Sequence, residues 1–322
     1  MIYKNIFTLI KDDEVFIIKD LILNNKINVD TVNSNKETLL IFSSRLNKNE
    51  IIDILLQNDK ILKTINKTDL NNNTALHYAV LNNNIGIVKK LIKNNIDSNI
   101  LNDKNESALF FSCLNNNKLI FDYLLDNHSK INYYTVERKN ILYYSTNDLK
   151  FFIYVSKKFN FNLNHTDIYH NNILYYVIKN NNFELLKYLF NNTNINRFII
   201  NNNKENLLFE AIRQKNIKII KFLIDQGLSL NIKNINHETL FDLDSNINNY
   251  LEEIYYSKTY QERIKKYQLQ YMILEENIEE IKKIIASNKY YLIDDFNLNI
   301  NYYLNAINNK EIINFVKNNL KY

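Results

Sequence analysis

A repeat of about 33 residues constrains the fold of this chain more than any other feature of its sequence. A Thr, Ser or Asn recurs at seven anchor positions, with spacings of 36, 33, 33, 32, 34 and 33 residues: Thr38, Thr74, Ser107, Asn140, Asn172, Asn206 and Thr239. A repeat of this length cannot bury its apolar face alone, so neighbouring units must stack. The period therefore predicts an elongated repeat array rather than two independent globular domains.

Each unit is predicted to consist of two short helices. The anchor residue can cap the first helix, because its side-chain oxygen accepts a hydrogen bond from a free backbone amide. A Leu follows two positions after most anchors, as at Leu76, and a small residue follows three positions later, as at Ala79. Paired apolar residues such as Leu91 and Ile92 mark the buried face of the second helix. This pattern predicts an all-α solenoid whose first helices approach one another closely at the small residues.

These residues resemble the ankyrin repeat. Thr74–His77 is similar to the TPLH tetrapeptide of that family, Ile87–Ile92 to its IVxxLL helix, and Asn99 to its repeat-closing Asn. The resemblance covers roughly residues 35–245. It implies an ankyrin-type solenoid of stacked helix-turn-helix repeats with short β-turn fingers between them.

The chain departs from the family pattern in two respects. It has no proline and two glycines, so Asn occupies most turn positions where the family has Gly. Asn tolerates the left-handed backbone better than other non-Gly residues, so these turns are expected to form. His occurs in the tetrapeptide only at His77, and aromatic residues replace it in later units: Phe110, Tyr143, Tyr175 and Phe209. We hypothesise that aromatic contacts replace the polar network that this His forms between repeats in the family.

The two ends of the array are predicted to differ from its middle. Residues 1–34 are assigned to an N-terminal capping repeat with helices at Ile6–Ile10 and Val15–Leu23, because a terminal repeat needs a polar outer face. Residues 35–246 form the repeat array. Asn becomes scarce between Tyr250 and Tyr291 while Tyr, Glu and Lys become more frequent, so residues 247–322 are assigned either to degenerate repeats or to a C-terminal helical cap or module.

The composition excludes several classes of enzyme. Two glycines cannot form a P-loop, a dinucleotide-binding GxGxxG turn or a GxSxG nucleophile elbow. One cysteine, Cys113, permits neither an internal disulfide nor a Cys-rich zinc site, and we expect it to be a buried, unreactive thiol. His165, Asp167 and His170 are close in sequence, but they are expected to lie in a solvated loop. We therefore expect no enzymatic activity, no cofactor and no bound metal.

Charge and hydropathy suggest that the partner is neither a nucleic acid nor a membrane. The net charge of +5 arises from 40 basic and 35 acidic residues, which are dispersed along the chain. The longest apolar runs, such as Phe151–Val155, are far shorter than the roughly 20 residues of a membrane-spanning helix. No signal-like core develops near the N-terminus. We expect a monomeric, intracellular protein, most simply a cytoplasmic one.

The ankyrin resemblance implies a non-enzymatic scaffold that binds another protein on the concave face of the array. In the family this face is lined by the loop before each anchor and by the inner side of the first helix. Carried over residue by residue, the partner-binding positions are Leu70, Asn71, Asn73, Asp103, Lys104, Glu106, Glu137, Lys139, Tyr169, Asn171, Asn203, Glu205, Arg213 and Gln214.

An alternative function involves the C-terminal segment. In that case the chain is an adaptor: the repeats bind a target, and residues 247–322 recruit a second protein, for example a ubiquitin-ligase component. The sequence does not identify the partner in either case, because the contact residues of a solenoid vary while its core pattern stays fixed.

Overall fold

The structure is a computed structural model that describes residues 5–287, 290–291, 299–307 and 309–320. It divides into two compact units, Met1–Val155 and Ser156–Tyr322. Within the described residues the regular structure is helical, apart from isolated β-bridges such as Val32 with Thr38 and Lys233 with Thr239. The all-α ankyrin-type fold expected from the sequence is therefore confirmed.

Ten of the eleven helices described in the first unit occur in pairs. They are α1 (Ile6–Lys11), α2 (Val15–Leu23), α3 (Leu39–Arg45), α4 (Asn49–Leu55), α5 (Asp59–Leu62), α6 (Ala75–Leu81), α7 (Ile85–Lys93), α8 (Ala108–Leu114), α9 (Lys118–Asp126), a 3₁₀ helix (Ile141–Ser145) and α10 (Leu149–Lys158), which crosses the boundary of the unit.

The second unit continues the pairing. Its helices are α11 (Ile173–Lys179), α12 (Phe183–Asn192), α13 (Leu207–Arg213), α14 (Ile217–Asp225), a 3₁₀ helix (Leu240–Asp242), α15 (Ser245–Tyr255), α16 (Lys258–Lys266), α17 (Gln268–Leu274), α18 (Ile278–Ser287), α19 (Ile300–Leu304) and α20 (Lys310–Asn319).

Each of the seven anchors is the N-cap residue of the helix that follows it. The Oγ1 of Thr38 accepts a hydrogen bond from the amide of Ile41 at 3.2 Å, and the Oδ1 of Asn206 accepts one from Leu208 at 3.0 Å. Ser107 differs, because its hydroxyl makes no capping bond. The anchors therefore fix where the first helices begin, as the sequence predicts.

Two of the first helices are 3₁₀ rather than α-helical, which the sequence did not predict. In the unit that begins at Asn140, Ser145 donates to the carbonyl oxygen of Leu142 at 2.8 Å. Thr146 donates to that of Tyr143 at 3.2 Å. Ser112 makes the same kind of bond to Leu109 within α8, which stays α-helical, so these bonds accompany the tighter turn without being sufficient for it.

The buried core residues lie at the positions of each repeat that the sequence pattern predicts. The small residues that follow the anchors are fully buried, as at Ala79 and Ser112, and α6 packs between α3 and α8. Leu91 and Leu124 of the second helices are also fully buried. Stacking of the small faces therefore brings the first helices together, and the second helices cover them.

Asn side chains connect consecutive repeats. The Nδ2 of Asn115 donates to the carbonyl oxygens of Val80 and Leu81, both at 3.0 Å. The repeat-closing Asn99 accepts from the amide of Lys130 at 2.8 Å, and its Nδ2 donates to the carbonyl oxygen of His128 at 3.2 Å. Many of the Asn residues thus satisfy backbone groups at the ends of helices in a neighbouring repeat.

The N-terminal helices match the predicted pair, although their outer face is less polar than expected. Phe7 packs edge-on against Phe42 with 5.2 Å between ring centroids. On α2, however, Phe16 is 90% exposed and Leu23 is 57% exposed. The division of the chain at residues 34 and 246 stays a prediction.

The C-terminal helices pack against the repeats of their own unit. The rings of Phe198 and Tyr303 stack with their centroids 4.8 Å apart, and the amide of Ile200 donates to the carbonyl oxygen of Ala306 at 3.0 Å. Residues 195–200 contain the two-residue insertion that the spacing before Asn206 indicates. The insertion therefore provides the surface on which α19 docks.

Candidate functional site

The most regular surface feature of both units is a row of fingers. A finger is defined here as the five residues that precede an anchor: 33–37, 69–73, 102–106, 135–139, 167–171, 201–205 and 234–238. In the finger 69–73 the carboxylate of Asp69 accepts from the amides of Asn71 and Asn73 at 2.9 and 2.8 Å. The amide of Asp69 in turn donates to the carbonyl oxygen of Asn73 at 3.0 Å. A short polar side chain at the first position thus holds the turn closed.

The fourth residue of every finger has a left-handed backbone. These residues are Lys36, Asn72, Asn105, Arg138, His170, Lys204 and His237, with φ between 57° and 63°. Asn therefore takes over the role of Gly at Asn72 and Asn105, as expected. Lys, Arg and His adopt the same conformation elsewhere, which shows that the bonds within the finger outweigh a backbone preference.

Neighbouring fingers are joined by backbone hydrogen bonds. In the first unit Leu70 donates to the carbonyl oxygen of Asn35 at 3.0 Å, and Val136 donates to that of Lys104 at 3.0 Å. Asp103 donates to the carbonyl oxygen of Asn71 at 3.1 Å. The fingertips of this unit therefore form a continuous edge that is held by backbone hydrogen bonds, rather than independent loops.

His77 links the first helix of its repeat to the next finger. The backbone amide of Thr74 donates to its Nδ1 at 3.0 Å, so Nε2 carries the proton and donates to the carbonyl oxygen of Glu106 at 3.1 Å. Burial lowers the pKa of His77, which keeps the imidazole neutral. In the following repeat Phe110 is buried instead and contacts Tyr144 edge-on at 5.1 Å. Here an aromatic contact replaces the polar one, as hypothesised.

Buried carboxylates of the fingers are paired with donors from the first helices. Glu37 accepts a bidentate pair of bonds from the guanidinium of Arg45. Asp69 accepts from the hydroxyl of Tyr78 at 2.5 Å. Burial, with the hydrogen bond to Asp69, raises the pKa of Tyr78, so the phenol stays protonated. Both pairs fix the fingers against the helices; Arg45 neutralises the charge of Glu37, and the phenol of Tyr78 satisfies Asp69 by a hydrogen bond.

A groove lies between two fingers and two first helices of the first unit. It encloses a cavity of about 330 Å³. Its lining residues are Asn71, Asn73, His77, Tyr78, Leu81, Asn102, Asp103, Lys104, Glu106 and Phe111. Five of these are among the positions carried over from the family: Asn71, Asn73, Asp103, Lys104 and Glu106.

The remaining positions of the first unit lie on the same row of fingers. Leu70, Asn71, Asp103 and Lys104 are exposed, and Asn73, Glu137 and Lys139 are half-buried. Glu106 is buried, and its carboxylate accepts from the amide side chain of Asn102 at 2.9 Å and from the hydroxyl of Tyr144. Glu106 is therefore bonded within the protein and is not exposed to a partner.

In the second unit Tyr169, Asn171, Asn203 and Glu205 lie on fingers, whereas Arg213 and Gln214 lie at the C-terminal end of α13. Tyr169, Asn203 and Arg213 are exposed, and Gln214 is half-buried. Asn171 and Glu205 are buried. Glu205 forms a bidentate pair with Arg213, whose guanidinium is therefore already bound to this carboxylate.

The sequence analysis did not single out an aromatic column on the first helices. The column is Phe42, Tyr78, Phe111 and Tyr144 in the first unit, four residues after successive anchors, and all four side chains are half-buried. Tyr78 and Phe111 line the groove. The signal was present in the sequence, because an aromatic residue recurs there with the repeat period. The tetrapeptide position lies one residue earlier in each repeat, so the family motif does not include these rings.

The candidate metal and thiol sites remain without support. Among the described residues, no group of three or more His, Cys, Asp or Glu side chains is placed to hold a metal ion. The carboxylate of Asp167 is buried and accepts from the amides of Tyr169 and Asn171, both at 2.9 Å. Cys113 is fully buried, and burial raises the pKa of its thiol. A protonated, inaccessible thiol is a poor nucleophile.

In the part of the chain that the structure describes, every helix is too short or too polar to cross a membrane.

Comparison with known proteins identifies the repeat. The family described as ankyrin repeats (3 copies) matches residues 8–102 and 144–234, which together make up more than half of the chain. The solved structures similar to this chain include the human ASB11 ankyrin repeat domain, with a TM-score of 0.51 and 18% sequence identity. That match covers 64% of this chain and 91% of the other. A search of curated proteins found no match.

Proposed function

This chain belongs to the ankyrin repeat family, and from that premise we propose that it is a scaffold whose partner protein binds the concave face formed by the fingers and first helices. Ankyrin repeats are generally protein interaction modules, and their fold is a non-enzymatic one. We propose that the chain itself has no catalytic activity and acts by holding its partner. A fold alone does not specify a partner, so the proposal depends on the surface that this chain presents.

The observation that carries the proposal is the groove of the first unit. The finger 69–73 exposes Leu70 at 51% beside the groove, and Leu81 of the groove lining is 42% exposed. The half-buried rings of Tyr78 and Phe111 line it from the helix side. Aromatic side chains held in a partly desolvated site contribute most of the binding energy in many protein interfaces. Exposed apolar tips beside such rings favour a protein partner over a small ion.

The polar groups of the groove suit an extended segment of polypeptide. Asn71 and Asn73 place amide side chains along one edge, and an amide can both donate to and accept from a peptide backbone. Asp103 and Lys104 add one exposed charge of each sign. We propose that the amides bind the partner's main chain and that the charges select its side chains.

The bonds between fingers support this role. Because each fingertip is already fixed by backbone bonds to its neighbour, little conformational entropy is lost when a partner binds. We propose that the exposed positions Leu70, Asn71, Asp103 and Lys104 contact the partner. The buried Glu106 holds the groove in shape, and Asn171 and Glu205 do the same for the fingers of the second unit.

A matched pair of double variants tests the proposal. The groove variant carries Leu70→Ser and Lys104→Ala, both on fingers. The control variant carries Leu119→Ser and Lys93→Ala, the same changes at exposed positions of the second helices of the same unit. Neither pair removes a buried contact, so both should give the circular dichroism spectrum and unfolding midpoint of the wild type.

The binding measurement is quantitative recovery of proteins from lysate of the source cells, with wild type, groove variant and control compared. We expect at least one protein that the wild type and the control recover equally and that the groove variant recovers at least tenfold less. Equal recovery by all three would contradict binding at this groove.

A further inference from the structure

The aromatic column of the first unit runs across neighbouring repeats. Its rings each follow an anchor by four residues, so consecutive rings belong to consecutive first helices. These helices pack side by side, with α6 between α3 and α8. Because packed helices lie about 8 to 10 Å apart, the rings recur along the column at about that interval.

Two rings of the column, those of Tyr78 and Phe111, line the groove and are held by contacts within the protein. The hydroxyl of Tyr78 donates to the carboxylate of Asp69 at 2.5 Å. The ring of Phe111 contacts that of His77 edge-on, with 6.0 Å between the ring centroids. Leu81 follows Tyr78 by about one helical turn in the same lining and is 42% exposed. The groove therefore presents fixed apolar surfaces from two successive repeats.

The interval between the rings distinguishes the backbone conformations of a ligand that runs along the column. Side chains on one face of a β-strand recur at about 6.8 Å and again at about 13.6 Å, and neither distance matches the interval. A polyproline II helix has three residues per turn, so every third side chain returns to the same face after about 9.3 Å. An α-helix returns to one face after seven residues, at about 10.5 Å. The polyproline II spacing is the one that falls within the interval.

The polar tip of the finger 69–73 also favours a ligand whose main chain is free. Asn71 is exposed there and lines the groove, and its amide side chain can donate to a carbonyl oxygen of the ligand. The main-chain groups of an α-helix are bonded internally, whereas those of a polyproline II helix are open to other partners. Aromatic-lined grooves bind polyproline II segments in other recognition modules.

The charge of the groove indicates one further feature of the ligand. Lys104 is exposed, and among the described residues no carboxylate pairs with it. Asp103 beside it accepts a hydrogen bond from the side chain of Asn72, and Glu106 accepts from Asn102. Lys104 is therefore the charged group of the groove that is left to bind an acidic residue of the ligand.

We propose that the groove binds a proline-rich segment of the partner protein in the polyproline II conformation. Apolar side chains three residues apart contact Tyr78 and Phe111, and an acidic residue pairs with Lys104. The inference rests on the proposed function, because it concerns the same groove. Such a segment is stiff before it binds, so little conformational entropy is lost on binding.

Synthetic peptides test the spacing, with binding to the full chain measured by isothermal titration calorimetry. The first peptide, acetyl-DPLPPLPPLPD-amide, has leucines three residues apart. The second, acetyl-DPLPLPLPPPD-amide, has the same composition with leucines two residues apart. We expect the first peptide to bind at least tenfold more tightly than the second.

Two variants and a third peptide assign the contacts. The peptide acetyl-NPLPPLPPLPN-amide lacks the acidic residues, so the wild type should bind it at least threefold more weakly than the first, and Lys104→Met should bind both equally. Phe111→Leu keeps an apolar side chain and should fold, but it should bind the first peptide at least fivefold more weakly. The control Lys93→Met, at an exposed position of α7, should bind all three peptides as the wild type does.

Failure of the first peptide to bind would overturn the proposal. Tighter binding of the second peptide would also overturn it, as would tighter binding of an alanine-rich helical peptide with leucines seven residues apart. If the groove variant Leu70→Ser, Lys104→Ala still loses its cellular partner in that case, the proposed function stands and only the polyproline II conformation is wrong. Unchanged recovery by the groove variant would contradict the groove itself.

Discussion

The Nε2 of His77 lies 3.1 Å from the carbonyl oxygen of Glu106, 29 residues further along the chain. The other ring nitrogen of the same side chain accepts from the amide of Thr74 at 3.0 Å. One imidazole therefore caps the helix α6 and fixes the finger of the next repeat. His77, the residue of the family tetrapeptide, therefore also determines the shape of the groove that it lines with Glu106.

Replacement of His77 by Phe, the residue at the same position in two other repeats, should weaken the fold. Phe fills the space but leaves the buried amide of Thr74 without its acceptor. The free energy of unfolding should fall by about 1 to 3 kcal/mol. Urea unfolding of wild type and His77→Phe measures this difference. An unchanged midpoint would mean that aromatic packing at this position fully replaces the polar network.

Protonation of His77 should make the stability of the protein depend on pH. The pKa of His77 in the folded state lies below the ordinary value of 6.5, so the folded chain binds fewer protons at this site than the unfolded chain. Its contribution to stability is present above pH 6.5 and is lost as the pH falls through the folded pKa. The stability difference between wild type and His77→Phe should therefore shrink on acidification. A constant difference from pH 7.5 to pH 4.5 would contradict this.

The bonds that Asn residues make between repeats should be measurable one at a time. Asn115→Ala removes two hydrogen bonds to the carbonyl oxygens at the end of α6 and should cost about 1 to 2 kcal/mol. Asn35→Ala is the control, because Asn35 is exposed at a fingertip. It should change the stability by less than about 0.5 kcal/mol. Equal losses from both substitutions would argue against a specific role for the Asn bonds between repeats.

Docking of the C-terminal helices should depend on Phe198. Its ring is 2% exposed and lies against Tyr302 and Tyr303, so Phe198→Ala opens a cavity and should cost about 3 to 5 kcal/mol. Hydrogen exchange measured by mass spectrometry should become faster in α19 and α20. Tyr256→Ala, at a side chain that is 76% exposed, serves as the control. Unchanged exchange in Phe198→Ala would show that the C-terminal helices are held by other contacts.

Glu275 should make the protein less stable as the pH rises. Its folded pKa of about 7 exceeds the ordinary value of 4.5, so the folded chain retains a proton that the unfolded chain has lost. Stability should fall by about 3 kcal/mol as the pH rises from 4.5 to 7 and then level off. Glu275→Gln should lack this fall, while Glu276→Gln should retain it. Parallel pH profiles of wild type and Glu275→Gln would show that the carboxylate is solvated.

The sequence predicted the parts of the fold that repeat. The anchors, the small residues and the first helices recur with the period, so each position is supported by several others. The burial of Glu106 and Glu205 could not be foreseen, because it depends on which neighbouring side chain reaches the carboxylate. Tyr144 reaches one and Arg213 reaches the other. The family pattern marks both simply as finger positions.

The packing of the C-terminal helices could not be predicted either. Phe198 and Tyr303 are 105 residues apart, and no period relates them. Their contact also affects how an adaptor role for residues 247–322 should be tested. Deletion of that segment would expose Phe198 and Leu230, so a lost partner could reflect damaged repeats. Substitutions at exposed positions of the segment are the sounder test, and the adaptor role stays a prediction.

Site-specific photo-crosslinking tests most directly whether a partner occupies the groove. A benzophenone amino acid is placed at position 70 on a finger, or at position 119 on the second helix α9, in otherwise wild-type chains expressed in the source cells. If the groove is the binding surface, irradiation should join a partner protein to the chain modified at Leu70 and not to the chain modified at Leu119. A cross-link to the same protein only from position 119 would contradict binding at the groove.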